Sequence, residues 1–351
     1  MRTGLFLLAT LAGVAAGPAF AGAARDAGTA APGTDAARAR SIVVFVPGVV
    51  SGSPVYEMLV DGAKKAAAEI SGTELKVIEG GFNQAEWESK ITSLAATGVY
   101  DLIISSNPAM PDLCATVSAK FPKQRFLLLD GYLNGNPNIF TLRYNQREQG
   151  YLAGFIAGLA TVGGVPGANP AKRIGLVAGQ EYPAMNQVIL PGYREGARAV
   201  DSSIEVDFRV VGNWYDAAKG AELAASMLRD GADVVLAVAG GASQGVVQAA
   251  ADGKAFVVWF DIDGYGVRPG TVIGSAILRQ DKAAYEQTKR YLAGTLPFGK
   301  AETVGVKEGY VDFAQDSPLY ASAVPEATRR KVAETVSALK SGALSLPMNG
   351  K

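Results

Sequence analysis

The sequence predicts an α/β protein made of two doubly wound parallel-sheet lobes joined by a hinge. Three observations carry that expectation. From residue 41 onward, short β-branched runs alternate with longer stretches of helical spacing. The short runs are continuously apolar, as strands covered on both faces must be. The series then starts again, giving two units of similar size, roughly residues 41–143 and 172–277.

Taken in order, "SIVVFVPG" (41–48) is a buried strand closed by Pro-Gly, and "VYEMLVDGAKKAAAEI" (55–70) is an amphipathic helix. "LKVIEGG" is a strand, "EWESKITSLAATG" a helix ended by Gly98, and "YDLIISSN" the next strand. "PDLCATVSAKFP" and "RFLLLDG" complete the first unit as helix and strand. The second opens on the strand "KRIGLVAG" and continues as "PAMNQVILPGYREGARAV" (helix), "IEVDFRVVG" (strand) and "DAAKGAELAASMLRDG" (helix). "ADVVLAVAG" is a strand, "SQGVVQAAADG" a helix, and "AFVVWFDID" and "VIGSAIL" are strands. A helix at 281–294 and a strand at 306–313 follow. The first lobe is therefore expected to hold 41–145 plus about 279–300, and the second 146–278 plus about 304–313. Residues 314–351 form a C-terminal helix and tail. Hinges fall at the crossings near 144–150, 277–281 and 300–306.

The 351 residues are 48% hydrophobic and carry no net charge, enough for two ordinary cores and no attraction to nucleic acid. Residues 1–21 read as an export signal: Arg2, an apolar "GLFLLATLAGVAAG", and "AFA" before a cut after Ala21. No cysteine lies near that cut, so a lipid anchor is not expected. Residues 22–40 are Ala/Gly-rich and read as a disordered tether. The expected location is periplasmic, as a monomer.

The inventory of reactive groups is short. There is no His and a single Cys, Cys114, on an apolar helical stretch where it reads as a small buried hydrophobe. "GASQG" (241–245) has the spacing of a nucleophile elbow, but without His its Ser243 lacks the usual base and reads as a turn residue. "DID" (261–263) places two acids on one side of a strand by alternation, with no further ligand cluster beside it; one of the pair reads as a hydrogen-bond acceptor. No phosphate loop or dinucleotide fingerprint is present. No catalytic residue, metal or cofactor is expected.

Two tandem lobes imply a cleft between them, and ligands gather beyond the carboxyl ends of parallel strands. The segments in that place are 47–53, 82–83, 105–107 and 130–132 in the first lobe, and 179–182, 213–215, 240–241 and 261–265 in the second. They bring Tyr56, Trp87, Tyr132, Tyr182, Trp214, Tyr215 and Tyr265 near strand ends. Trp214 stands out because Asn213 and Asp216 beside it are polar and a helix begins just after. An aromatic wall with a few fixed polar groups suits a small planar ligand, and stacking one ring on an indole contributes about 1–3 kcal/mol. The expected ligand-binding residues are Ser53, Tyr56, Asn107, Asp130, Trp214, Gly241 and Asp261.

Together, "YNQREQGYLAGFIAGLA", "GNWYDAAKG" and "FDID" resemble the basic membrane protein family over residues 41–313. Its members are substrate-binding proteins of ABC importers, among them a purine nucleoside receptor of spirochaetes. The resemblance implies a type I periplasmic binding protein fold, a small-molecule ligand and an ABC permease in the inner membrane as partner. In nucleoside binders the base lies between two aromatics. The family's "G-x-F-x-D" matches Trp214 and Asp216, while the first aromatic falls at Val55 with Tyr56 beside it. A "V-D-x-D-Q" stretch that gives the base a carboxylate matches Asp261, and Asp130 ends a strand whose counterpart also carries an acid. The ribose-holding lysine of "S-x-x-K" is replaced by Leu278, and "PGVVSGSPVYE" lacks the family's Asp-rich character. "PGVVSGSP", "GFNQAEWE" and "SSNPAMP" look more like the riboflavin-binding branch. The ligand expected from the resemblance is therefore riboflavin, with a purine nucleoside as the alternative and a ligand-sensing domain for a membrane receptor as a third reading.

Overall fold

The structure, a computed structural model, describes residues 40–348. The export signal and nearly all of the tether lie outside the described residues. Arg40 does not belong to a tether: it opens the first strand, where a parallel partner satisfies its backbone and its guanidinium donates to the Tyr291 carbonyl (2.9 Å).

The first run is β1 (Arg40–Val46), α1 (Pro54–Ala68), β2 (Thr73–Glu79), α2 (Trp87–Ala96), β3 (Leu102–Ser106), α3 (Met110–Lys120), β4 (Arg125–Leu129) and β5 (Ile139–Tyr144). The chain then crosses into α4 (Gln146–Leu159) and continues as β6 (Arg173–Ala178), α5 (Leu190–Val200), β7 (Glu205–Val210) and α6 (Ala217–Arg229). Next come β8 (Ala232–Val238), α7 (Ser243–Asp252), β9 (Phe256–Asp261) and β10 (Val272–Leu278). It returns through α8 (Gln280–Leu292) and β11 (Ala301–Val304), then ends with β12 (Val311–Phe313), α9 (Pro318–Ala323) and α10 (Glu326–Ser341).

Two six-stranded sheets result, ordered β11-β5-β4-β3-β1-β2 and β12-β10-β9-β8-β6-β7. All neighbours are parallel except β12, which runs antiparallel to β10. In each sheet the order reverses direction beside its first strand, between β1 and β3 and between β6 and β8, which opens a crevice at those carboxyl ends. Three elements differ from the sequence expectation. "IFTLRY" forms β5 and "AETV" forms β11, neither of which the apolar pattern announces, and the last strand covers only 311–313 of the expected 306–313. β5 is rich in strand-favouring Ile, Phe, Thr and Tyr, a composition the expectation overlooks, whereas β11 and β12 are short edge strands whose length is set by pairing.

Alternation along β1 splits the first lobe's core in two. Val43 and Phe45 pack with Ile103, Phe126 and Leu128 under Trp87, Ile91 and Cys114 of α2 and α3. Ile42, Val44, Leu102 and Leu127 face Leu59 and Ala63 of α1 and Ala284 of α8. Cys114 is fully buried, and that burial pushes its thiol up, out of reach of ionisation. Helices α4 and α5 pack backbone to backbone: Gly154 and Gly158 of α4 lie against the backbone of Tyr193 and Ala197, and Gly192 and Gly196 of α5 against that of Arg147 and Tyr151. The crossings are tied together: the Asn145 N–H donates to the Val304 carbonyl (2.7 Å), and the Val306 N–H to a Glu148 carboxylate oxygen (2.7 Å).

Candidate functional site: a polar and aromatic cleft between two sheets

On the first lobe, the Pro-Gly turn after β1 leads into Ser53, which precedes α1 and makes no side-chain bond to the helix. Tyr56, in the first turn of α1, donates its hydroxyl to the Pro47 carbonyl (3.1 Å) and accepts from the Asn107 amide (3.4 Å). Asn107 in turn caps the turn before α3 by accepting from the Ala109 N–H (2.9 Å). Burial pushes the Tyr56 phenol up to about 12. Gly48 has no side chain because one would meet the Tyr56 ring at 3.0 Å. Two of the expected residues, Tyr56 and Asn107, are thus a joined pair, whereas Ser53 stands apart on the rim.

On the second lobe, Trp214 lies over Gly179, where an added Cβ would come within 2.4 Å of the indole. Its Nε1 donates to the Gln180 side-chain carbonyl (3.2 Å), and the Tyr182 ring sits tilted against it at 6.0 Å. Asp216 does not face the cleft: it caps α6, accepting from the Lys219 N–H (2.9 Å). That cap, with Asn213 accepting from the Tyr215 and Asp216 N–H groups, holds the bend that presents the indole. Gly241 is exposed on the turn that follows β8, against the Trp214 carbonyl, and Ala242 N–H donates to that carbonyl (3.4 Å).

In the remaining pair of expected residues, from opposite lobes, Asp130 directly follows β4 and Asp261 ends β9. Both adopt left-handed backbone, φ 55° and 74°, a conformation that Asp tolerates better than most residues and that turns each carboxyl out of its sheet. They keep some accessible surface while lying deep in protein. Burial, and then the charge of Asp261, push Asp130 up to about 8. Burial raises Asp261 to about 6, against the opposing effect of a hydrogen bond from the Gln149 side chain (3.0 Å). At neutral pH the cleft therefore offers one neutral carboxyl that donates and one carboxylate that accepts. Tyr182 and Tyr144, which also feel both acids, are held protonated by burial.

The structure corrects the alternation expected at "DID". The backbone leaves the strand at Asp261, so Asp263 does not share its face and instead caps Tyr265 N–H (3.0 Å). Several aromatics near strand ends are packing. Trp87 is core and donates to the Gly81 carbonyl (2.8 Å), and Tyr265 is buried against Tyr320 and donates to the Ala314 carbonyl (2.9 Å). Tyr132 lies under the Arg143 guanidinium, and Tyr215 is 73% exposed, on the rim. Ser243 is the turn residue expected of it, its hydroxyl accepting from the Ala239 N–H (3.1 Å). Leu278 is buried in β10. The sequence places Tyr182 among the strand-end aromatics without a specific role, and assigns none to Gln149 or Gln180. A glutamine directly before the apolar stretch "GYLAGFIAG" was the one available signal for Gln149. Among the described residues no group of three or more Asp, Glu, Cys or His is placed to hold a metal, and no helix is long and apolar enough to cross a membrane.

The Asp130 carboxyl makes stability depend on pH. Its folded-state value lies above that of an unfolded chain, so its contribution is fully present at low pH and lost as pH rises through about 8. Asp130→Asn, which keeps the left-handed residue class, should gain on the wild type progressively as pH rises from about 4 to about 8, most above that range and little below it. Thermal midpoints across the range check this; a difference independent of pH contradicts it.

The fold is that of a two-lobed α/β protein with its strand ends turned to a common cleft. A crystal structure of an ABC transporter solute-binding protein from Aeropyrum pernix K1 has the same fold at TM-score 0.75 and 22% identity, covering 89% of this chain and 94% of that one. So does a transcriptional activator of the comK gene from Bacillus halodurans, at TM-score 0.70 and 21% identity over 87% of this chain and 99% of that one. Residues 39–341 match the Bmp family model, described as ABC transporter substrate-binding protein PnrA-like, and the chain belongs to that family. It is a family of transport substrate-binding proteins, not of enzymes. Basic membrane protein D of Borreliella burgdorferi is 32% identical over 49% of this chain and 48% of its own length. The nucleoside-binding protein BmpA of Lactococcus lactis is 28% identical over 62% of this chain and 64% of its own. The chain thus spans about half to two thirds of these relatives.

Proposed function

We propose that this protein captures a flat heterocycle carrying a polyol or sugar between its lobes and delivers it to an ABC permease, after export to the periplasm as a monomer. The observation that carries this reading is the indole of Trp214, seated on Gly179 and backed by Tyr182, facing a cleft that holds a donor–acceptor pair of carboxyls. In this reading Trp214 stacks on the ring and Asp261 accepts from a ring N–H. Asn107 bonds a polar edge, Gly241 lets the ring approach the turn, and Asp130, Tyr56 and Ser53 meet hydroxyls. A ligand touching both lobes favours their closed arrangement, with bending at the three crossings.

Within that class riboflavin is the first choice. Leu278 stands where the family resemblance places a ribose-holding lysine, and it is buried in the core, which favours a polyol met by neutral or acidic groups. A purine nucleoside is the second reading, favoured by the nucleoside-binding relative from Lactococcus lactis. Denaturing the purified protein and recording absorbance and mass of what is released separates them: a yellow, fluorescent flavin is the expected result. Titration with riboflavin and guanosine that shows binding of neither removes both ligands.

A further inference from the structure

Gln149 is completely buried, one turn into α4, where the chain has just crossed between lobes. Both hydrogens of its side-chain amide are committed, one to the Asp261 carboxylate at 3.0 Å and one to the Ala276 carbonyl at 3.1 Å. Its carbonyl oxygen has no partner. That leaves no ambiguity in the amide's orientation, since reversing it would press an acceptor against two acceptors. A buried polar atom left unpaired costs about 1–3 kcal/mol, so the position carries a cost that packing alone does not explain.

Resting on the reading of the cleft given above, we propose that Gln149 is a positioning residue: it fixes the Asp261 carboxylate as an acceptor and so selects rings that present an N–H donor. Asp261 ends its strand in left-handed backbone, and the two bonds from Gln149 tie its carboxylate to β10 and α4. A hydrogen bond donated to a carboxylate favours the ionised form, and here it opposes burial. The groups facing Asp261 from across the cleft or beside it are Asp130, Tyr144 and Tyr182. The neighbouring strand β10, "VIGSAIL", carries no ionisable side chain. On α4, Glu148 turns to the Val306 N–H and Arg147 to Glu195. Gln149 is thus the one side chain among the described residues that donates a hydrogen bond to the Asp261 carboxylate. A site whose buried acceptor meets no donor rejects the wrong ring strongly, whereas a protonated Asp261 would accept it.

The test compares wild type, Gln149→Met and Gln149→Glu, the last nearly isosteric in case the first packs poorly. The titration of Asp261 is followed by carbon-detected NMR of the carboxyl, assigned with Asp261→Asn, and affinities for riboflavin and guanosine are measured across pH. Wild-type affinity should fall as pH drops through about 6, where Asp261 takes up a proton. In Gln149→Met the Asp261 titration should move to higher pH, with affinity lower by about tenfold near pH 6 and about twofold near pH 8.5. An unmoved titration, or an equal loss of affinity at every pH, overturns the proposal. If wild type binds neither ligand yet the titration moves, the ligand reading falls while the positioning of Asp261 stands.

Discussion

Replacing Trp214 by alanine should weaken ligand binding at least tenfold, about 1.4 kcal/mol, while leaving the fold intact. The expectation rests on placement. The indole is partly exposed on the cleft wall and lies outside both apolar cores, so its loss opens a surface rather than a cavity. What it removes is the flat face held over Gly179 and the partner of the tilted Tyr182 ring. Trp214→Phe should keep part of the affinity, since a smaller ring can occupy the same seat without the bond to Gln180. Fluorescence titration with the released ligand and a thermal melt check both halves. Unchanged affinity with an unchanged melt means the ring stacks elsewhere.

Gly154→Val should destabilise the protein by about 3 kcal/mol or more, one of the larger effects available to a single substitution. An added Cβ at that position would lie 2.0 Å from the Tyr193 carbonyl oxygen of α5, and backbone cannot step aside as a side chain can. Gly196 presents the same problem from the other helix, 2.0 Å from the Tyr151 carbonyl. Forcing α4 and α5 apart also strains the bond from the Tyr193 hydroxyl to the Gly175 carbonyl (3.0 Å) and shifts the helix that carries Gln149. Gly266→Ala is the matched control: nothing lies within 4 Å of its added Cβ, so stability should hold within about 0.5 kcal/mol. Urea unfolding of the two variants decides it, and an unmoved midpoint for Gly154→Val would show that the helices separate at no cost.

Both expectations grew from stretches visible in the chain, but they were legible to different depths. "GYLAGFIAGLA" served the sequence reading only through its family resemblance; that its glycines admit the backbone of α5 emerges from the packing, because the helix they meet is not local information. Asp216 looked like a member of the site beside Trp214 and is instead the cap that shapes its bend. The two acids of "DID" looked equivalent by alternation, until the left-handed turn at Asp261 sent Asp263 to cap a loop. Trp87 and Tyr265 stood near strand ends exactly as Tyr56 does, and only packing separates the two core residues from the cleft residue.

What the sequence by itself determined is the alternation of elements, the doubling into two lobes and the set of strand ends where a ligand can lie. Those follow from apolar period and from the geometry of parallel sheets, which are written into neighbouring residues. Tertiary structure alone decided which of those ends face one another and what their side chains touch. Gln149 reaches Asp261 across 112 positions, and Asp130 feels Asp261 from the other lobe. The physical reason is that hydrogen bonding, burial and charge act through space. Residues far apart in the chain set each other's chemistry once the two sheets close on a common cleft.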